Sequence, residues 1–360
     1  MMNLIIGIGV VLILAIVFMI FRITNLVGLV KSDKEAVSSG NGIHAFLMMA
    51  FMVLSLSGFF WYSYVHFDSY TLPVASEHGM ITDHLFWVTM VICVVAFAVI
   101  SIAMFWFTYK YQYREGQKAA YLVDNHMLEI IWTLIPAVVM ALLIFRGLRV
   151  WNEITGPATK EAINIELVGQ QFYWTVRYPG ASDENLGKFD FRLIDPINEF
   201  GLDLTDKNSF DDFKADALYL PVDQEVLLKI RAKDVLHSVF LPHFRVKMDA
   251  VPGMLTTFKF KPTKTTEQMR TETGNPKFNY EMACTEICGK GHFSMKFSVV
   301  VVSQAEYQKW RASQDSWLKL NPGYMKMVPE NLREYALIRS GMEPDNGSAE
   351  QGVLKSVSNR

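Results

Sequence analysis

Residues 284–295 decide what the C-terminal half of this chain can be, and they read Cys-Thr-Glu-Ile-Cys-Gly-Lys-Gly-His-Phe-Ser-Met. Two thiols, an imidazole and a thioether therefore lie within one short segment. Soft sulfur ligands combined with imidazole select copper or zinc. Met295 favours copper, because a thioether is a poor ligand for Zn²⁺ but a common weak axial ligand in copper electron-transfer sites.

A second imidazole is needed to complete such a site, and His237 lies upstream between two strand-like runs. Two thiolates four residues apart, Cys284 and Cys288, can bridge two coppers, each with one histidine and one weak ligand. Three other interpretations remain open. They are a disulfide between the two cysteines, a zinc site with two cysteines and two histidines, and a mononuclear copper site with one cysteine and two histidines.

The composition excludes several classes of protein. The chain has 360 residues, of which 51% are hydrophobic, and its net charge is −2. That charge gives no support for nucleic-acid binding. The three cysteines rule out a disulfide framework, and no Cys-x-x-Cys-His sequence is present for attaching a c-type haem.

Four apolar runs precede residue 150, and they predict four transmembrane helices at residues 1–21, 44–66, 84–109 and 130–145. A spanning helix needs about 20 residues, so the fourth run qualifies only if Glu129 and Arg146 lie at the interfaces. The first run could instead be a cleaved signal peptide. This run lacks a basic N-terminal region, and its continuous apolar length is too great for the apolar region of a signal peptide. We therefore expect it to be retained as a helix.

Loop charges predict the orientation of these helices. Lysine and arginine occur in the loops at residues 22–43 and 110–128 but are absent from residues 67–83. The first and third loops are therefore expected in the cytoplasm, with the large C-terminal domain outside. Glu129 would then lie at the cytoplasmic boundary. It is either a negative charge favourably placed at a helix N-terminus or a proton acceptor at the membrane edge.

Short β-branched and aromatic runs punctuated by proline and glycine predict an antiparallel sandwich or barrel after residue 163. The metal motif then lies in the loop between the last two strands. A helix with a capping box, Ser303 to Glu306, should follow. The predicted strands are residues 163–168, 172–176, 226–230, 256–260 and 297–302.

An acidic, loop-like insertion is expected at residues 181–216, which contain ten acidic residues and four basic ones. It is either solvated surface or a patch that steers a basic protein partner. From residue 342 onward the chain is polar, and mobility is expected there. We therefore divide the chain into a membrane region at 1–150, an external domain at 151–312 and a C-terminal tail at 313–360.

The metal motif is similar to the Cys-x-Glu-x-Cys-x3-His-x2-Met signature of cytochrome c oxidase subunit II, in the haem-copper oxidase family. Two further stretches resemble motifs of that family: Asp-Val-Leu-His at residues 234–237, and Lys-Met-Asp-Ala-Val-Pro-Gly at residues 247–253. The resemblance covers about residues 84–312. It implies an α+β membrane protein, with four transmembrane helices followed by an external cupredoxin-like Greek-key β-sandwich.

The resemblance also implies a set of site residues. Cys284 and Cys288 would bridge the two coppers of a CuA centre. His237 and Met295 would complete one copper, and His292 with the backbone carbonyl of Glu286 would complete the other.

Further roles follow from the same resemblance. The Glu286 carboxylate would bind Mg²⁺ at the boundary with subunit I, supported by Asp249. Glu129 matches the glutamate at the entrance of the proton channel. Phe172, Tyr173 and Trp174 match the region where electrons arrive from cytochrome c.

Two departures from the family pattern bear on docking of the electron donor. Phe172 replaces the first tryptophan of the family's Gly-His-Gln-Trp-Tyr-Trp sequence, and Arg177 stands where the family often has an acid. Both count against docking of a soluble, basic cytochrome c. They favour a cytochrome c, or a tethered cytochrome c domain, held by a neighbouring complex within a respiratory supercomplex. The first two helices are additional to the family's core.

The function implied is electron transfer from a cytochrome c to haem in subunit I, where O₂ is reduced with proton translocation. The chain would lie in the bacterial plasma membrane with other oxidase subunits, and its C-terminal domain would be periplasmic. A quinol-oxidase subunit is less favoured because the copper ligands are complete. A copper-delivery or storage protein is a further alternative, and a nitrous-oxide reductase would need an additional catalytic domain.

Overall fold

The computed structural model describes residues 2–31, 34–114, 116–121, 123–180 and 185–342. These residues form two compact units, drawn from residues 1–71 with 87–139 and from residues 72–86 with 140–360. The first four residues of the predicted insertion, 181–184, and residues 343–360 of the predicted tail lie outside the described residues.

The apolar part of the described chain folds into long helices. Three of them contain stretches long and apolar enough to cross a membrane, Gly40–Val65, Glu77–Lys110 and His126–Thr155. The apolar stretch described in the first helix, Val11–Val27, is shorter than these three. That the first helix also crosses the membrane therefore stays a prediction. The helices are α1 (Met2–Lys31), α2 (Lys34–Val65), α3 (Glu77–Lys110) and α4 (His126–Thr155).

Aromatic side chains join α2 to α3 within the first unit. The ring centroids of Phe51 and Phe105 are 6.0 Å apart, and those of Phe59 and Phe97 are 5.9 Å apart. Pairs at such separations contribute favourably beyond the area that they bury. Within this unit, α2 is thus packed against the part of α3 that follows residue 86.

The second unit contains two five-stranded sheets, with strand orders β3-β2-β1-β5-β8 and β4-β10-β9-β6-β7. Their inner faces share one hydrophobic core, which includes Ile165, Leu228, Val239 and Met282. The strands are β1 (Ile163–Gln170), β2 (Tyr173–Tyr178), β3 (Phe213–Ala215), β4 (Leu218–Pro221), β5 (Val226–Ala232), β6 (His237–Leu241), β7 (Val246–Ala250), β8 (Thr256–Phe260), β9 (Tyr280–Cys284) and β10 (Lys296–Val302).

The antiparallel prediction was wrong for two strand pairs. Strand β1 runs parallel to β5, and β4 runs parallel to β10. Alternation of apolar and polar residues reports which face of a strand is buried but not the direction of its neighbour. Long intervening segments, such as residues 171–225 between β1 and β5, permit parallel pairing.

Four shorter helices follow β8, and capping boxes mark the start of two of them. Thr265 with Gln268 and Ser303 with Glu306 each form a capping box, and the second was predicted. The helices are α5 (Thr266–Thr273), α6 (Gln304–Ala312), α7 (Trp317–Leu320) and α8 (Arg333–Ser340).

The outer face of the β1-containing sheet is also covered. Val168 on that face belongs to a second apolar core built with Phe210 of the insertion and with Trp317, Leu318 and Ala336 of the C-terminal segment. Residues 317–342 therefore pack over the sheet together with the insertion. This arrangement explains why β1 and β2 are buried almost continuously rather than at alternate positions.

The aspartates of the insertion build its turns. Carboxylates of Asp190, Asp195, Asp203 and Asp206 accept backbone N–H groups two or three residues ahead, at 2.7–3.2 Å. Aspartate favours turns for this reason, because its side chain replaces a missing backbone acceptor. The acidic composition therefore has a structural cause in this loop-rich segment.

Candidate metal centre

The sequence motif forms a loop at the end of adjacent strands. Cys284 is the last residue of β9 and Met295 precedes β10, and the Cys284 N–H donates to the Met295 carbonyl at 3.1 Å. The Thr285 N–H donates to the carbonyl of Ser238 in β6, at 3.2 Å. These bonds fix both ends of the loop to the sheet that carries His237.

The six predicted ligand groups come together around two sulfurs. The Sγ atoms of Cys284 and Cys288 are 3.9 Å apart. Each lies beside a different imidazole, with His237 Nδ1 3.9 Å from Cys284 and His292 Nδ1 3.6 Å from Cys288. Among the described residues, His237, Cys284 and Cys288 form a buried group that could hold a metal ion.

Two weaker donors lie next to the sulfurs. The Glu286 carbonyl oxygen is 3.3 Å from Cys284 Sγ, and Met295 Sδ is 3.9 Å from Cys288 Sγ. Met295 is buried, so its thioether faces the thiols rather than solvent. The donor set fits copper, which accepts thiolate, imidazole and thioether together.

This geometry counts against two alternatives, a disulfide and a zinc site. Both cysteines are free thiols, and their 3.9 Å separation is far from the roughly 2 Å of a disulfide. A zinc site would use the two cysteines and two histidines, but it would give the buried Met295 thioether no role.

Asp234 selects which nitrogen of His237 faces the sulfurs. The Nε2 atom lies 2.9 Å from a carboxylate oxygen of Asp234, so we assign the ring proton to Nε2 and leave Nδ1 free as a ligand. Burial raises the pKa of Asp234, but hydrogen bonds from the Gln171 N–H and from His237 outweigh it and lower that pKa. The carboxylate therefore stays ionised and holds the imidazole.

The Cys288 thiol is protonated in the absence of metal. Burial and the neighbouring Cys284 raise the pKa of Cys288 to about 11. A metal bound as thiolate must displace this proton, so binding is coupled to proton release.

An apolar surface surrounds the loop. Ile287 and Phe293 are 86% and 84% exposed, and Phe172 and Tyr173 are 37% and 42% exposed. Trp174 is buried instead, and its ring meets the His237 ring edge to face at a centroid distance of 5.8 Å. The three aromatic residues predicted to receive electrons thus divide into two on the surface and one beside a ligand.

The remaining predicted site residues lie elsewhere. Asp249 is exposed in β7, and Glu286 is half-buried. Among the described residues, no hydrogen bond or ion pair joins these two carboxylates. Glu129 lies in the other compact unit, in the first turn of α4, with His126 Nδ1 3.9 Å away.

The expectation that Arg177 would count against docking of a soluble cytochrome c was wrong, because this side chain is buried. Its guanidinium is 2% exposed and donates to Glu166 at 2.6 Å, to Asp212 and to the Gly187 carbonyl. Arg231 donates to the second oxygen of Glu166 at 2.8 Å. The insertion and residues 317–342 cover this ionic cluster, so the Arg177 side chain cannot contact a partner protein.

Sequence reasoning missed Gln171 and three glycines that shape the site. A Cβ atom on Gly169 would lie 2.9 Å from the Trp174 ring and 3.1 Å from the His237 ring. At Gly291 it would lie 2.5 Å from the Phe172 ring. The Gly-Lys-Gly spacing in the motif was the available signal, since Gly289 and Gly291 let Phe172 lie directly on the loop.

These observations define a membrane protein whose β-sheet domain carries a buried, sulfur- and imidazole-lined metal site. The transmembrane domain model of cytochrome C oxidase subunit II matches residues 60–150, and its periplasmic domain model matches residues 163–303. The chain belongs to the cytochrome c oxidase subunit II family, with a membrane region and a periplasmic CuA-type domain.

Relatives across bacteria and animals share this similarity. The alternative cytochrome c oxidase subunit 2 of Bradyrhizobium diazoefficiens is 34% identical over 255 residues, which cover 69% of this chain and 85% of that protein. Subunit 2 of Aedes aegypti is 30% identical over 67% of this chain and 93% of its own length. A crystal structure of the periplasmic domain of subunit II from Bradyrhizobium japonicum aligns with 44% of this chain and 94% of its own, at 25% identity and a TM-score of 0.29.

Proposed function

We propose that the chain carries a dinuclear CuA centre that accepts electrons from a cytochrome c and passes them to haem in subunit I. The observation that carries this proposal is the pairing of each sulfur with its own imidazole, Cys284 with His237 and Cys288 with His292. A mononuclear site would need one sulfur, whereas a shared pair of sulfurs suits two metals. When bound, the copper pair supplies one-electron redox chemistry.

The protein's part is to hold the ligands rigidly. His237 and Met295 would serve one copper, and His292 with the Glu286 carbonyl the other. The strands β6 and β9 fix His237 and Cys284, and Asp234 holds the His237 ring. Ligands held in this way need to move little when the charge of the site changes.

Phe172 is the side chain that we assign to electron arrival. Its ring is partly exposed and lies against Gly289 and Gly291 of the metal loop. A donor that docks on the surrounding apolar surface would place its haem edge near this ring, with Tyr173 alongside and Trp174 beneath.

The donor that we favour is a cytochrome c held by a neighbouring complex, because phenylalanine replaces the family's tryptophan at the surface. Arg177 no longer supports this idea, since it is buried. Rapid turnover of soluble cytochrome c by the purified oxidase, without any partner complex, would contradict it.

Other parts of the proposal concern the whole oxidase. Glu129 would stand at the entrance of the proton channel, which its partly exposed position in the first turn of α4 permits. The Glu286 carboxylate, supported by Asp249, would bind Mg²⁺ at the interface with subunit I. Oxygen reduction and proton translocation would occur on subunit I.

We further propose that α1 to α4 all cross a bacterial plasma membrane and that the sandwich is cupredoxin-like with Greek-key connections. The membrane region would end near residue 150. Residues 151–312 would carry the copper chemistry, with residues 313–360 accessory to it.

Electron paramagnetic resonance of the copper-loaded full chain in detergent tests the central proposal. A seven-line hyperfine pattern would show one electron shared by two coppers. A four-line pattern would indicate a single copper, and tightly bound zinc or readily exchanged Cu(I) would leave the proposal without support.

A further inference from the structure

Gln171 contacts both segments that carry the metal-site residues. Its side-chain Nε2 donates to the backbone carbonyl of Cys288 at 2.6 Å. Its backbone N–H donates to the Asp234 carboxylate at 2.7 Å, and the other oxygen of that carboxylate lies 2.9 Å from His237 Nε2. One residue in the connection between β1 and β2 is thus bonded to the Cys288 loop and to the partner of His237.

We propose that Gln171 is a positioning residue for the copper pair, which sets the position of the Cys288 backbone and the electron density of its thiolate. This inference rests on the proposed function and deepens it. Gln171 is not a ligand, because its amide nitrogen is committed to the carbonyl rather than to the sulfurs.

The position of the bond gives it influence over the loop. Gly289, the next residue after Cys288, has a φ of +132°, a conformation that is easily reached by glycine and gives the chain freedom at this point. The Gln171 amide holds the carbonyl just before that flexible residue. Without it, the Cys288 sulfur would be free to move relative to Cys284, His292 and Met295.

The same bond has an electronic effect. An N–H group that donates to the Cys288 carbonyl withdraws electron density from the residue that supplies a bridging sulfur. Less density on that sulfur disfavours the oxidised copper pair, so the reduction potential is higher with the bond than without it. Hydrogen bonds near a metal ligand tune its redox behaviour in this way.

The test replaces the amide without disturbing the backbone bond to Asp234. Gln171→Leu removes the donor and keeps a side chain of similar bulk. Gln171→Glu keeps the shape and places a carboxylate, which cannot donate when ionised, beside the carbonyl. Because Gln171 is exposed, both variants should fold, and thermal unfolding of the metal-free chain checks this.

The measurements use the full chain in detergent, loaded with copper. We expect both variants to release copper to a chelator about three to ten times faster than the parent, the range for loss of one hydrogen bond. We also expect a lower midpoint potential and altered hyperfine splitting, with the seven-line pattern retained.

Gln170→Leu is the matched control, because it removes the adjacent amide at the end of β1. The inference is overturned if Gln171→Leu and Gln171→Glu match this control in copper release, potential and hyperfine splitting. It is also overturned if their effects are confined to the stability of the metal-free chain. Failure of the parent chain to show a seven-line pattern would instead remove the proposed function.

Discussion

Replacing Glu166 by glutamine should destabilise the periplasmic domain by several kcal/mol. The Glu166 carboxylate is fully buried and accepts hydrogen bonds from Arg177 and Arg231. Burial alone would raise its pKa, but the two guanidiniums outweigh this and lower it from 4.5 to about 2. At about 1.4 kcal/mol for each pKa unit, the fold favours the ionised form by roughly 3 kcal/mol. Removing the charge also leaves two buried arginines short of a partner, so we expect a loss of about 3–5 kcal/mol.

Thermal unfolding of the full chain in detergent, followed by near-ultraviolet circular dichroism, measures this loss. A domain of this size shifts by about 2–4 °C for each kcal/mol, so the Glu166→Gln transition should fall by roughly 6–20 °C. Glu281→Gln is the control, because Glu281 is also paired to a cation, Lys296 at 3.0 Å, but is 57% exposed. Such surface pairs contribute about 0–1 kcal/mol.

The pH dependence gives a second check on the same reasoning. A carboxyl with a lowered pKa stabilises the fold above its unfolded value, about 4.5. The advantage of the parent over Glu166→Gln should therefore be complete at neutral pH and disappear as the pH falls from 4.5 toward 2. Equal unfolding temperatures for Glu166→Gln and Glu281→Gln, or an advantage that does not change with acid, would refute the argument.

Three further predictions concern the site and its surroundings. Met295→Leu should retain the copper pair, seen as a seven-line spectrum, but shift its potential and slow electron transfer; complete loss of copper would show that the thioether is more than a weak ligand. Gly169→Ala should disturb the His237 ring and change the hyperfine splitting, because the new methyl group meets the His237 and Trp174 rings at 3.1 and 2.9 Å; an unchanged spectrum would contradict this. Burial raises the pKa of Asp212 to about 7, against the opposing effect of one shared arginine. The stability that Asp212 contributes is therefore fully present below pH 3.8, its unfolded pKa, and is lost as the pH rises toward 7. At neutral pH, Asp212→Asn should therefore lower the unfolding temperature less than Glu166→Gln does in the same assay.

The metal loop at residues 284–295 was accessible to sequence reasoning because its candidate ligands are close in the chain and chemically distinctive. His237 could be paired with the loop because it lies between two strand-like runs, and in the structure it begins β6, which lies beside β9. Strands β1, β2, β5, β8 and β10 were predicted from β-branched and aromatic runs, which indicate local geometry. Strands β3, β4, β6, β7 and β9 were not predicted. Strand direction did not follow from these runs, because it depends on the long connections that lead from one strand to the next.

The second layer of the periplasmic domain could not be predicted in the same way. Arg177 lies 11 residues after Glu166 and 35 residues before Asp212, and each of these residues alone suggests an exposed charge. They become buried only because the insertion and residues 317–342 cover the same face of the sheet. Gln171 was overlooked for a related reason, since its role depends on a hydrogen bond to a segment more than a hundred residues away.

The cover over the outer face of the β1 sheet has a practical consequence for anyone who shortens this protein. A fragment that stopped near residue 303, where the match to the periplasmic family model ends, would strip away Trp317 and α8. Val168 would lose the cover that Trp317, Leu318 and Ala336 provide. The Asp212 carbonyl would lose the hydrogen bond from the Trp317 N–H, and Asp211 would lose its bond to Arg339. Soluble versions of the periplasmic domain should therefore keep the chain to residue 342.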